Sequence, residues 1–240
     1  MKMKNLLLFI LLTLSTSALG QFSAGLRGGY GAFGVEFEPP ALNTNQERLY
    51  EPNFGLVFIY IDKSNAGIQL EVNYATKGWY EKDKTAANTT DFKREVSYLE
   101  IPIMSHVELG RGWFRIIGVL GPYIAFKQSE TTTHNNYQSI INGNPYKKYT
   151  QPIRKLDFGN KIGIGFRVNA GTRFSAIADI RYDLQIAGGQ NIFKNHPNKI
   201  QISRYSELSL SFGLLYNIFI QKEEKPKEYY VPKEGINEIF

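Results

Sequence analysis

From about residue 22 onward the chain alternates apolar and polar positions with a period of two, the spacing at which successive side chains of a strand point to opposite faces. In residues 208–219, Leu208, Leu210, Phe212, Leu214, Tyr216 and Ile218 share one face, and Ser209, Ser211, Gly213 and Asn217 the other. Residues 67–78 set Ile68, Leu70, Val72 and Tyr74 against Gln69, Glu71, Asn73 and Lys77. Residues 174–186 set Phe174, Ala176, Ala178, Ile180, Tyr182, Leu184 and Ile186 against Ser175, Asp179, Arg181, Asp183 and Gln185. The pattern predicts eight strands, near residues 22–34, 52–60, 67–78, 93–108, 112–127, 156–169, 173–187 and 204–219.

The connections between these strands alternate in length. Those at 62–66, 109–111 and 170–172 are tight and rich in Gly, Asn and Asp, as hairpins require, whereas those at 35–51, 79–92, 128–155 and 188–203 are long and polar. Short turns at one end and long loops at the other predict an all-β fold, an eight-stranded antiparallel transmembrane β-barrel with short periplasmic turns and long extracellular loops. Strands of about 9 to 13 residues suffice for a tilted crossing of the hydrocarbon layer. Tyr30, Phe33, Phe54, Tyr60, Tyr74, Trp79, Trp113, Phe126, Phe174 and Tyr205 lie near strand ends, where amphipathic rings suit the membrane interfaces. A soluble lipocalin-like barrel is the rival fold, on the faint likeness of Gly78-Trp79 to that family.

The N-terminus changes the setting. Lys2 and Lys4 precede an apolar run over residues 5–14 and a small-residue stretch ending Ala18-Leu19-Gly20, the layout of a signal peptide cleaved before Gln21. Removing its two lysines leaves 26 Lys plus Arg against 22 Asp plus Glu, too mild an excess for a nucleic-acid footprint. Cysteine is absent, which excludes a disulfide scaffold and a Cys-anchored lipoprotein. The domain reading is thus a signal peptide over 1–20, a barrel in the outer membrane over 21–220, and a periplasmic C-terminal tail over 221–240. The tail carries four Lys, five Glu and two Pro without strand alternation. Gly29, Gly31 and Gly34 spell G-x-G-x-x-G, but Pro39 and Pro40 follow where a phosphate-binding motif needs a helix, so the glycines read as part of the first strand.

The runs Tyr98-Leu99-Glu100-Ile101-Pro102-Ile103, Gly121-Pro122-Tyr123, Asp157-Phe158-Gly159 and Arg181-Tyr182 resemble the PorT-like outer-membrane β-barrel family of Bacteroidetes-type bacteria. The resemblance covers nearly all of the mature chain and implies an eight-stranded outer-membrane barrel. It also implies a link to type IX-like protein secretion, although many members of the family have no assigned role.

On these strands Arg27, Glu71, Glu100, Arg115, Arg167, Asp179, Arg181 and Asp183 point to the lumen. Buried charges persist only when paired, and an eight-stranded barrel is just wide enough for side chains to fill its centre. A structural ion-pair network is expected there, with Glu100 as the partner of an arginine. His106 reads as a lumen-facing polar residue, and His134 and His196 as loop residues; neither a catalytic motif, nor a cofactor site, nor a metal-ligand spacing is evident. Tyr146, Lys147, Lys148 and Tyr149 form a candidate surface-binding loop for lipopolysaccharide phosphates or sugars. The expected partners are outer-membrane lipid, including lipopolysaccharide, and a periplasmic or secretion-machinery protein met through the tail. The functional reading is a non-enzymatic accessory or structural barrel, associated with protein secretion or envelope assembly; the alternatives are a small-solute channel and a lipid-modifying enzyme with its site at the rim.

Overall fold

The computed structural model describes residues 20–38, 44–83, 91–135, 140–141, 144–145, 155–185 and 202–219. In chain order the strands are β1 (Gln21–Glu38), β2 (Thr44–Ile61), β3 (Ala66–Asp83), β4 (Asp91–Arg111), β5 (Phe114–Asn135), β6 (Ile140–Ile141), β7 (Asn144–Pro145), β8 (Leu156–Ala170), β9 (Phe174–Gln185) and β10 (Ile202–Phe219). β6 and β7 pair only with each other, and the eight long strands close into an antiparallel barrel. β1 seals it against β10, from Phe22 opposite Phe219 to Glu38 opposite Ile202. Where all eight strands overlap, closure leaves no unpaired edge; beyond it β1 past Phe33 and β5 past Phe126 are paired on one side only.

The alternation is inverted relative to a soluble barrel. Leu26, Tyr30, Ile164 and Leu214 are large and apolar yet 66%, 64%, 66% and 73% exposed, whereas Arg27, Glu71, Arg167 and Arg181 are buried in the lumen. An apolar outer band around a polar interior is stable in hydrocarbon, where the band meets acyl chains and every backbone group is satisfied within the ladder. None of the described residues forms a helix long and apolar enough to cross a membrane.

The strands run further than the periodicity suggests. β1 reaches Glu38, β3 reaches Asp83 and β5 reaches Asn135, so much of what reads as loop at 35–51, 79–92 and 128–155 is ladder. Thr44 to Arg48 pair with Asp83 to Trp79 after a register shift between Arg48 and Asn53. The β5 extension is polar and, apart from the half-buried Glu130, exposed over 128–133, where cross-strand hydrogen bonds need no apolar face, whereas Val35, Trp79 and Glu81 in the β1 and β3 extensions are buried inside the wall. At about 3.3 Å per residue, strands of this length exceed the roughly 30 Å hydrocarbon layer even when tilted, so the barrel wall continues past the membrane at the end away from the tight turns.

Each tight turn rests on a residue that accepts positive φ. Asn65 (φ 61°) closes the first, whose Asp62 Oδ1 accepts from the Ser64 amide at 2.7 Å. Gly112 (φ 72°) and Gly171 (φ 69°) make the other two. The second turn falls at Gly112-Trp113, beyond the expected 109–111, because β4 pairs through Arg111 opposite Phe114. Two prolines interrupt the wall. Pro102 lacks an N–H, and the β3–β4 ladder skips from Leu70 opposite Ile103 to Asn73 opposite Glu100; the β4–β5 ladder likewise skips past Pro122.

Three of the rings expected at the membrane interfaces are inside instead. Phe33, Trp79 and Tyr205 are buried, whereas Tyr30, Phe54, Trp113 and Phe174 are exposed on the outer wall. Their parity along the strand decides this: Phe33 and Tyr205 share a face with Arg27 and Glu207.

Candidate functional site: the filled lumen

β3 organises the interior. Its inward residues Gln69, Glu71, Asn73, Lys77, Trp79 and Glu81 run from the tight-turn end toward the opposite rim and take part in successive levels of contacts.

Nearest the turns, Glu108 accepts from Arg167 at 3.0 Å and from Arg115 at 2.7 Å. Arg167 is fully buried and also donates to Asn217 at 2.7 Å, Ser23 at 3.0 Å and Ser175 at 3.1 Å, which ties β8 to β1, β9 and β10. His106 lies between Gln69 (2.6 Å) and Glu108 (3.2 Å). Beside this level Val57, Ile59, Ile61, Ile117, Ile177 and Leu215 form a buried apolar cluster inside the barrel.

The next level is a four-residue ring. Arg27 bridges Glu71 (2.6 Å) and Asp179 (2.9 Å), and Arg181 bridges Glu71 (2.9 Å) and Asp179 (2.8 Å). Asn73 donates to Glu71 at 2.7 Å, and Gln69 donates to its other oxygen. Two cations against two carboxylates make this level neutral, with each charge doubly paired, the condition under which buried ions are tolerated.

Above it, Lys161 joins Glu100 (2.9 Å) and Asp183, and Lys77 joins Glu100 and lies 3.9 Å from Glu207. Both ammonium groups also sit over the Tyr123 ring, at 4.6 and 4.9 Å from its centroid. Three acidic side chains face two lysines here; Glu100 and Asp183 make the close pairs, and Glu207 stands off at 3.9 Å from Lys77. Between the ring and this level, the space bounded by Asn53, Asn73, Lys161, Glu207, Ser209 and Ser211 is about 20 Å³, room for one water. At the far end Trp79 packs on Phe92 and Tyr205, donates to Glu81 at 2.5 Å, and lies 5.5 Å from the Arg94 guanidinium.

All eight charged residues expected in the lumen line it, though Arg115 is only partly buried. Arg27, Glu71, Asp179 and Arg181 meet in one ring, Glu100 and Asp183 meet through Lys161, and Arg115 and Arg167 meet through Glu108. Glu100 pairs with two lysines, not with the arginine expected of it, because the stagger of β3, β4 and β8 brings Lys77 and Lys161 to its level. Lys77, Lys161, Glu108 and Glu207 belong to the network although sequence reasoning named none of them as a lumen charge and placed only Lys77 on the polar face of its strand; their inward parity, shared with Glu71, Asp157, Glu100 and Ser209, was the signal. The candidate loop Tyr146, Lys147, Lys148 and Tyr149, the side chains of His134 and His196, residues 1–19 of the expected signal peptide over 1–20 and the expected tail over 221–240 lie outside the described residues.

The family model described as "outer membrane protein beta-barrel domain" matches residues 15–188. No curated protein matches the chain. Among solved structures, the outer membrane protein OprG from Pseudomonas aeruginosa is similar with 12% identity, covering 84% of this chain and 98% of OprG at a TM-score of 0.51. Outer membrane protein W of E. coli aligns with 15% identity over 83% of this chain and 98% of its own at a TM-score of 0.36. At such identities the likeness to OprG is one of fold, and it agrees with the closed eight-stranded wall. The family match spans well over half of the sequence, and the chain belongs to the outer membrane protein beta-barrel domain family and resides in the outer membrane.

Proposed function

We propose that this barrel is a sealed, non-enzymatic platform of the outer membrane, an accessory or structural component that works through its ends and not through its lumen. One observation carries the reading: three successive levels of cross-strand ion pairs and an apolar cluster occupy the interior, leaving between two of them a space of about 20 Å³. A channel for solutes needs a continuous water-filled path, and each of these levels would have to break its pairs to supply one. With the lumen occupied, contact with other molecules falls to the rims, the long connections and the tail. On the resemblance to the PorT-like family, the partner is a component of a secretion or envelope assembly, met on the periplasmic side by residues 221–240 once the leader is removed. In this orientation the tight turns face the periplasm, and Tyr146, Lys147, Lys148 and Tyr149 face lipopolysaccharide.

Co-purification after cross-linking of intact outer membranes tests the partner. The full chain should retain a periplasmic or secretion-machinery protein that a chain ending at Gln221 loses. Identical partners for both would overturn the role given to the tail.

A further inference from the structure

The outer wall is not uniformly covered by large side chains. Across β1, β10 and β9 the outward residues Ala24, Gly28 and Ala176 are small, and Leu26, Phe212 and Leu214 stand up beside them, 66%, 61% and 73% exposed. They enclose an apolar groove of about 760 Å³ on the face turned to lipid. From Tyr216 at its mouth to Phe212 the groove follows four residue steps, about 13 Å at about 3.3 Å per residue. At a strand tilt of about 40° this reaches about 10 Å in depth, within the roughly 15 Å of one leaflet.

The mouth carries a charge. Arg173, in the third tight turn, places its guanidinium 6.0 Å from the centroid of the outward Tyr216 ring, which packs edge-on against Phe174. The guanidinium's one hydrogen bond to the described residues is a long one to the Ile218 carbonyl (3.5 Å), and none of them gives it an acidic partner. An apolar groove that stays within one leaflet and ends at a guanidinium without an acidic partner among the described residues is complementary to an acyl chain tethered to a phosphate.

The geometry points to a site for a glycerophospholipid on the turn-side leaflet, with one acyl chain laid in the β1–β10–β9 groove and its phosphate against Arg173. General contact with lipid would cover any part of the wall; the groove and the arginine select one molecule and hold it longer than its neighbours.

The test is native mass spectrometry of the full-length protein purified in detergent and titrated with palmitoyl-oleoyl phosphatidylglycerol, each variant first shown to be folded by heat-modifiable gel mobility. Wild type should carry one bound lipid. Arg173→Gln, which leaves the groove intact, should lower its affinity about fivefold, the weight of one basic residue at a lipid surface. Ala176→Leu, which fills the groove floor, should lower it at least as much, and Ile103→Ala on the opposite wall should leave it unchanged. Equal occupancy in wild type and Arg173→Gln would overturn the proposal. So would capture of lipopolysaccharide in place of the phospholipid, or dimer masses lost on Ala176→Leu, which would make the groove an interface between copies.

Discussion

At the residue scale, the lumen charges hold strands that are distant in sequence. Arg181 reaches both Glu71 and Asp179, and its removal leaves two carboxylates in a dry interior with one guanidinium between them. Arg181→Ala should destabilise the barrel by about 3–5 kcal/mol, read from the urea midpoint of the protein folded into lipid vesicles. Glu100→Gln should also lower that midpoint, because Lys77 and Lys161 then share no full negative charge at that position. The turn at Asp62 titrates differently. The Ser64 hydroxyl and amide bind the Asp62 carboxylate and hold its pKa below the usual range. A pKa depressed on folding contributes stability above the ordinary carboxylate value, about 3.9, and that contribution disappears as pH falls through the folded value. The difference in midpoint between wild type and Asp62→Ala should therefore be present at neutral pH and vanish in acid. Which residues point inward was legible from parity alone, as the eight expected lumen charges show. Their partners were not, because the stagger of three strands decides what Glu100 meets, and no single strand records it.

At the element scale, legibility depends on contrast between faces. β9 and β10 alternate apolar with polar and read plainly, but β2 carries Val57, Phe58, Ile59, Tyr60 and Ile61, apolar on both faces, and conceals an inward cluster. That cluster makes part of the lumen an ordinary hydrophobic core. Ile59→Ala should cost about 2–5 kcal/mol, as for a cavity in any packed interior, measured by the same urea midpoint; a lipid-facing isoleucine would cost much less. The glycines of β1 gain a specific role. A Cβ on Gly31 would lie 2.6 Å from both Glu207 Oε1 and the Phe33 ring, so the strand needs no side chain where the lumen is already full. Gly31→Val should lower the midpoint by about 1–3 kcal/mol through overpacking. The polar extension of β5 escaped sequence reasoning for the opposite reason: residues 128–133 are exposed on both faces apart from the half-buried Glu130, and nothing requires alternation there.

At the scale of the whole molecule, the wall and the filling are separate achievements of one sequence. The outer positions suit hydrocarbon, and the inner ones form levels in which each cation meets a carboxylate, Arg115 and Arg167 at Glu108, Arg27 and Arg181 at Glu71 and Asp179, and Lys77 and Lys161 at Glu100. A barrel closed across its middle cannot work as a pore without dismantling several doubly paired ions, each costing several kcal/mol to strip of its partners. The claim that the lumen is sealed is tested most directly by conductance of the purified barrel in planar lipid bilayers. A filled lumen predicts insertion without steady open currents, with Arg181→Ala giving at most brief openings. Stable, voltage-independent conductance by the wild-type protein would contradict it.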